Sequence, residues 1–257
     1  MGAGQMTSLS VVVPAYNERA RLGRTLEEMR DHLEGRGLDY EILVVDDGSR
    51  DGTSALVQQM RASLPRLRLI SMPRNHGKGY MVRVGVINSR CDHVMFADAD
   101  GATPFAEVEK LEAALADGYD VAIGSRKAVD PTRTVENSIF RSAVTFTFNA
   151  LVSALVIQGI ADTQCGFKLF PRRVALDLFH SQTIDGFSFD VEILYISRLR
   201  GYRIAEVPVN WHAVPGSKVH VARDGMRMAR DLFLIRSRAL RGVYAPAAHP
   251  EPVGTAT

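Results

Sequence analysis

Cysteine is scarce in this chain, and the scarcity removes whole classes of function. Only Cys91 and Cys165 occur among 257 residues, with no Cys-x-x-Cys pair. Neither a disulfide framework nor a zinc site is expected, and reduced thiols in a cytoplasmic protein are the default. Strong net charge is lacking too. The balance of 31 Lys and Arg against 29 Asp and Glu gives +2, which argues against a general nucleic-acid binder. The opening Met1-Gly2-Ala3-Gly4-Gln5 has no basic segment leading into an apolar one, so no secretory leader is expected there. Long apolar runs are few. Residues 142–160 carry no charge and approach the ~20 residues of a bilayer span. Ser142, Thr145, Thr147, Asn149, Ser153 and Gln158 interrupt that run, so a helix buried in protein or lying at a membrane surface is expected instead.

What is present is an alternation of apolar runs and amphipathic stretches. Strands are predicted at Leu9 to Val13, Glu41 to Val45, Leu67 to Met72, His93 to Ala97 and Val121 to Gly124. Helices are predicted near Arg19 to Glu34, Thr53 to Leu64, Gly79 to Ser89 and Phe105 to Ala116. This rhythm predicts an α/β fold with a mostly parallel sheet flanked by helices. Beyond Arg126 the pattern predicts helices at Asn137 to Gln158, Arg172 to Phe179, Asp190 to Arg200 and Asp224 to Arg241, with a strand at Ile204 to Trp211. A single catalytic domain over residues 9–243 is expected, between a flexible stretch at 1–8 and a disordered Ala- and Pro-rich tail at 244–257.

Polar residues gather where the strands end. The first strand runs into Pro14-Ala15-Tyr16-Asn17-Glu18 and lacks the Gly-x-Gly-x-x-Gly of a dinucleotide site. Tyr16 can stack on a base and Glu18 can accept from a base or ribose; alternatively, Asn17 caps a helix and Glu18 occupies its first turn. The second strand ends in Asp46-Asp47-Gly48-Ser49-Arg50-Asp51-Gly52-Thr53. Asp46 is the better ligand candidate there, with Asp51 or Thr53 capping the next helix. Arg74-Asn75-His76-Gly77-Lys78-Gly79 is a basic loop before a helix, suited to phosphate or base oxygens, or simply a solvated loop. The fourth strand delivers Asp98-Ala99-Asp100-Gly101, paired carboxylates suited to a divalent metal and a diphosphate. Alone, such a pair is as readily a turn or cap device.

Taken together, these four segments resemble an inverting glycosyltransferase of family 2 with the GT-A fold. The closer match, to its dolichyl- and polyprenyl-phosphate hexosyltransferase branch, rests on Asp98-Ala99-Asp100-Gly101-Ala102-Thr103, Gly124-Ser125-Arg126, Asp162 to Phe170, Phe189-Asp190-Val191-Glu192, Val209-Asn210-Trp211 and Gly216-Ser217-Lys218. The resemblance spans residues 9 to 243. It implies a nucleotide-diphosphate-sugar donor, with UDP-glucose the first choice, held by Pro14, Tyr16, Glu18, Asp46 and Lys78. It implies Mg²⁺ or Mn²⁺ on Asp98 and Asp100, with Gln164 reaching the metal, the donor sugar or the acceptor. Cys165 reads as a packed thiol, having no His or Lys beside it.

The acceptor implied by the resemblance is a polyprenyl or dolichyl phosphate, with Arg126, Arg141, Lys168 and Lys218 as its candidate partners or, equally, as solvated cations. A soluble enzyme of secondary metabolism acting on a small hydroxylated or phosphorylated acceptor is the alternative. Asp190 or Glu192 could serve as general base toward a hydroxyl. A phosphomonoester with a second pKa of ~6 is largely a dianion at neutral pH and needs no base, leaving Asp190 to position the acceptor or hold the structure. Residues 218–241 hold seven Lys and Arg against Asp224 and Asp231. Such a helix can lie peripherally on an anionic membrane or pack on the core with its arginines in solvent.

Overall fold

A computed structural model describes residues 6–128, 152, 156–214 and 221–245, with side chains in the last segment described from residue 225 onward. Arg141, Lys218, the predicted helix over 137–158 apart from its last residues, and the tail from 246 lie outside the described residues.

Seven strands form one sheet: β1 (Ser8–Ala15), β2 (Asp39–Asp46), β3 (Leu67–Ser71), β4 (His93–Ala97), β5 (Val121–Ser125), β6 (Phe167–Pro171) and β7 (Ile204–Pro208). Their spatial order is β3-β2-β1-β4-β6-β5-β7. All neighbours are parallel except β6, which runs antiparallel to both β4 and β5. The strands bury side chains on both faces, which requires helices on both sides. Val11, Val13 and Met95 pack with α1 (Arg19–Gly35), α2 (Thr53–Met60) and α4 (Val108–Ala116) on one face. Val12, Val94 and Phe96 pack with α3 (Lys78–Ile87), α5 (Arg172–Ser181), α6 (Phe189–Leu199) and α7 (Val221–Leu240) on the other. The period-two alternation along β1 and β4 makes this division.

Two details depart from the sequence-based expectation. Phe167–Pro171 forms a strand that the apolar pattern did not announce, because Lys168 interrupts it. The ordered boundaries are also wider than 9–243. Met6 is buried, Thr7 and Ser8 donate hydrogen bonds to Asp92, and Tyr244 is buried with its hydroxyl donating to Glu192 Oε1 at 2.7 Å.

The topology fixes where chemistry can occur. Chain order reverses beside β1, since β2 and β3 continue to one side and β4 lies on the other; ligands in open α/β sheets bind outside the carboxyl ends of strands at such a point. Because β6 is antiparallel, its start lies at that same edge: Phe167 pairs with Ala97. The sheet thus gathers the ends of β1, β2 and β4 and the loop preceding β6. Helix α3 lies close enough to β1 that a Cβ built at Gly85 would overlap Val12 Cγ1. Gly85→Ala is therefore expected to cost about 1–3 kcal/mol through overpacking, read as a lower urea midpoint. Adding Val12→Ala should restore part of that loss, whereas equal loss in single and double variants would discount this contact.

Candidate active site

The turns after β1 and β2 are built as one unit. Asn17 has φ of 55°, the only positive value among described non-glycine residues. Its N–H donates to Ser49 Oγ at 2.8 Å, and its Oδ1 accepts from Arg50 N at 2.9 Å. Asp51 divides its carboxylate between two helices, Oδ2 accepting from Arg19 N and Oδ1 from Thr53 N. Thr53 Oγ1 accepts from Glu18 N. Helix α1 is thus capped from the neighbouring turn rather than by Asn17. Tyr16 remains 38% exposed at the rim. Glu18 lines the crevice with its carboxylate bonded to Arg21.

Asp46 and Asp47 divide their work differently from the expectation. The Asp46 carboxylate accepts from the hydroxyls of Ser49 and Ser54 and is absent from the crevice wall, so its turn has claimed it. Asp47 lines the crevice instead and accepts from His76 N at 2.6 Å and Gly77 N at 2.9 Å. Gly48 permits this approach: its φ is 72°, and a Cβ there would stand 2.8 Å from the Arg74 backbone. Asp47 therefore anchors the loop that presents Lys78.

Lys78 opens α3, and its Nζ lies 2.6 Å from Asp98 Oδ1. Burial alone would lower the Lys78 pKa, but Asp98 and Asp190 more than offset it and the net shift is upward. Asp100 is pushed upward first by burial and then by the Asp98 carboxylate, while Ala102 N and Arg21 oppose the shift. Gly166 faces the pair from the loop before β6; a Cβ there would fall among the Asp98 carboxylate atoms. Gln164, in the same loop, lines the crevice with them.

Beneath this rim lies a buried ion pair. Lys168 has 0% side-chain exposure, and its Nζ donates to Asp190 Oδ1 at 2.5 Å and to the Cys165 carbonyl at 2.7 Å. It also stands 5.2 Å from the Phe96 ring centroid. Lys168 is thus closed to an acceptor phosphate, which corrects its expected role; its charge is committed to Asp190. Burial drives the Asp190 pKa upward against the pull of Lys168 and Lys78. Glu192 is excluded as a base by its contacts: it is fully buried and accepts from Thr183 N, Ile184 N, the Thr183 hydroxyl and the Tyr244 hydroxyl. Burial pushes the Cys165 thiol up to about 12, in keeping with a packed thiol.

Arg126 lines the crevice and forms a bidentate pair with Asp162, Nε to Oδ2 at 2.7 Å and Nη2 to Oδ1 at 2.8 Å. Burial alone would raise Asp162, yet the guanidinium holds it at about 2. The crevice encloses about 990 Å³ and brings Pro14, Tyr16, Glu18, Lys78, Asp98, Asp100, Gln164, Arg126 and Asp190 together. Asp46 and Lys168 stand outside that wall. Residues missed from sequence include Asp47, whose signal is the tight Asp-Gly turn, and Arg21, placed one helical turn beyond Glu18.

The donor set fits a hard divalent cation. Asp98 and Asp100 are oxygen donors whose proximity disfavours two bare charges, and Gly166 leaves space against Asp98. No cluster of three or more His, Cys, Asp or Glu occurs among the described residues. Two carboxylates supplemented by ligand phosphates and water is the usual arrangement for Mg²⁺.

The sequence model of glycosyl transferase family 2 matches residues 10–179. Dolichyl-phosphate beta-glucosyltransferases of Mus musculus and Homo sapiens are 43% and 41% identical, covering 92% of this chain and 77% of each relative. That of Saccharomyces cerevisiae is 39% identical over 92% of this chain and 76% of its own. Among solved structures, glucosyl-3-phosphoglycerate synthase of Mycobacterium tuberculosis, in complex with Mn²⁺, uridine-diphosphate and phosphoglyceric acid, has a TM-score of 0.65 at 20% identity, covering 94% of this chain and 80% of that one. Mannosyl-3-phosphoglycerate synthase from Rubrobacter xylanophilus has a TM-score of 0.69 at 19% identity, covering 95% and 77%. Likeness at such identity concerns the fold alone, which is GT-A.

Two outcomes are expected from these buried charges. Lys168→Met strands Asp190 and should cost about 3–5 kcal/mol in chemical unfolding. Lys168→Met with Asp190→Leu should recover most of that stability without restoring turnover; a single variant as stable as the parent would contradict the pairing. Asp162, depressed in the folded state, contributes about 2 kcal/mol above its ordinary carboxylate pKa. That contribution is lost as pH falls through the folded value of about 2. The stability gap between parent and Arg126→Gln should accordingly narrow on acidification, and a pH-independent gap would contradict it.

Proposed function

This chain belongs to glycosyl transferase family 2, and we propose that it is an inverting hexosyltransferase that moves glucose from UDP-glucose onto a polyprenyl or dolichyl phosphate. The observation that carries this is one crevice in which the Asp98–Lys78 pair and Asp100 meet Tyr16 and Glu18 on one side and arginines of α7 on the other. Relatives named for dolichyl phosphate support the acceptor class. Residues 9–243 act as one catalytic unit in this proposal, in the cytoplasm at the surface of the membrane that holds the acceptor.

In the proposed mechanism Tyr16 stacks on the uracil, Pro14 shapes the turn beside it, and Glu18, oriented by Arg21, accepts from base or ribose. Lys78, kept as an ammonium by Asp98 and Asp190, meets the diphosphate. Asp98 and Asp100, with Gln164 close by, would hold Mg²⁺ or Mn²⁺, which supplies charge neutralisation to the departing nucleoside diphosphate. A phosphate dianion attacks the anomeric carbon from the opposite face and yields the β-linked product. It has no proton to lose, so Asp190 need not act as a base. Bound to buried Lys168, Asp190 is held in place and, beside Lys78, helps keep the two lysines in register.

The test is transfer of radiolabelled glucose from UDP-glucose to a short-chain polyprenyl phosphate. Label is expected in the organic phase, dependent on added Mg²⁺ or Mn²⁺ and abolished by a chelator. Asp98→Ala and Asp100→Ala should each lower turnover by about 10²–10³-fold, the scale of losing a charge-stabilising group. Donor turnover with no lipid product would redirect the search to a small hydroxylated or phosphorylated acceptor.

A further inference from the structure

Helix α7 has three distinct faces, and only two are explained by the crevice and the core. Successive helical residues turn by about 100°. Leu232 and Ile235 are fully buried and, with Ala239, pack on the core. Roughly a third of a turn away, Arg227, Asp231, Leu234 and Arg238 line the crevice. The remaining face carries Met226, Phe233 and Leu240, spaced by sevens and 72%, 61% and 84% exposed. These are the three most exposed large hydrophobic side chains among the described residues, and they stand in a single file about 10 Å apart.

The setting of that file identifies its occupant. Exposed Arg230, Arg236 and Arg241 flank it, and it holds no acidic residue. A two-fold contact with a second copy would set these arginines against their own images. An anionic lipid surface complements them, with the guanidinium groups at headgroup depth and the three apolar side chains below. Arg230 has a second relevance, since it also lines the crevice and therefore stands on the edge shared by the two faces. Arg227 and Arg230 form no close salt bridge with any described residue and act on Asp231 of the same crevice only at longer range, whereas Lys78, Arg21 and Arg126 are directly paired.

We propose that the Met226–Phe233–Leu240 file docks the protein on an anionic bilayer, and that Arg230 and Arg227 receive the phosphate of a lipid acceptor from that bilayer into the crevice. The docking half stands independently; the phosphate half rests on the acceptor proposed above. One helix then joins membrane contact to acceptor capture.

The experiment is flotation of the full chain with phosphatidylglycerol–phosphatidylcholine vesicles at low salt, alongside glucosyl transfer to vesicle-embedded and to detergent-dispersed short-chain polyprenyl phosphate. The parent should float with anionic vesicles and less so at high salt. Met226→Ser/Phe233→Ser/Leu240→Ser alters exposed side chains only, so its melting temperature should match the parent. It should lose about tenfold or more in flotation and in transfer from vesicles, while transfer to the detergent-dispersed acceptor is unchanged. Arg227→Gln/Arg230→Gln should raise KM for the lipid phosphate in both formats and leave KM for the donor alone. A parent that does not float, or a triple variant that floats equally, overturns the docking; so does a dimer that the triple variant converts to monomer with flotation unaltered. An unchanged acceptor KM in the arginine variant overturns the phosphate half. Flotation without transfer to either lipid would count against the proposed acceptor and leave the docking supported.

Discussion

The ammonium group of Lys168, closed off from water, is the interaction on which the crevice depends. It joins β6 to the start of α6 through Asp190 and to its own preceding loop through the Cys165 carbonyl. A lone buried charge would be untenable, so lysine and aspartate each require the other. The consequence spreads upward. Asp190 raises the charge preference of Lys78, Lys78 pairs with Asp98, and Asp98 stands against Gly166 in the loop that Lys168 steadies. An alternating series of cationic and acidic side chains, Lys168, Asp190, Lys78 and Asp98, thus runs from the sheet interior to the crevice.

Much of this was legible because it is local. Tyr16, Lys78, Asp98 and Asp100 fall at strand ends or helix starts, and the βα rhythm alone directs those positions to one edge of a parallel sheet. What escaped was non-local. Phe167–Pro171 hides as a strand because a lysine occupies an inward position, and nothing nearby in sequence announces that Asp190 neutralises it. Adjacent acids were equally hard to assign. Asp46 and Asp47 differ only in which way successive strand-end side chains point, and the serines that capture Asp46 belong to the turn and helix that follow. Glu192, two residues beyond Asp190 on the same helix, is turned to Thr183, Ile184 and Tyr244, beyond the range of any motif.

Helix α7 illustrates the limit of amphipathicity as a guide. Its sequence pattern offered membrane or core as alternatives, yet the fold uses it in three directions, with Leu232 and Ile235 inward, Arg227 and Arg238 toward the crevice and Phe233 outward. A simple division into apolar and polar faces cannot describe such a helix, because both its apolar sets are separated by charged residues. The distinction lies in packing partners supplied by residues far along the chain.

The antiparallel strand has a consequence for how the protein comes into being. In space β6 separates β4 from β5, although in the chain it follows both. During N-to-C synthesis β1 to β4 can assemble in order, but the open flank of β4 must wait for residues 167–171 before it is covered. Until then an apolar strand carrying Asp98 at its tip has an unpaired edge, the feature that invites pairing with other chains. Completion of the carboxylate site and closure of that edge are therefore a single late event in biogenesis, and a nascent chain halted short of β6 has neither.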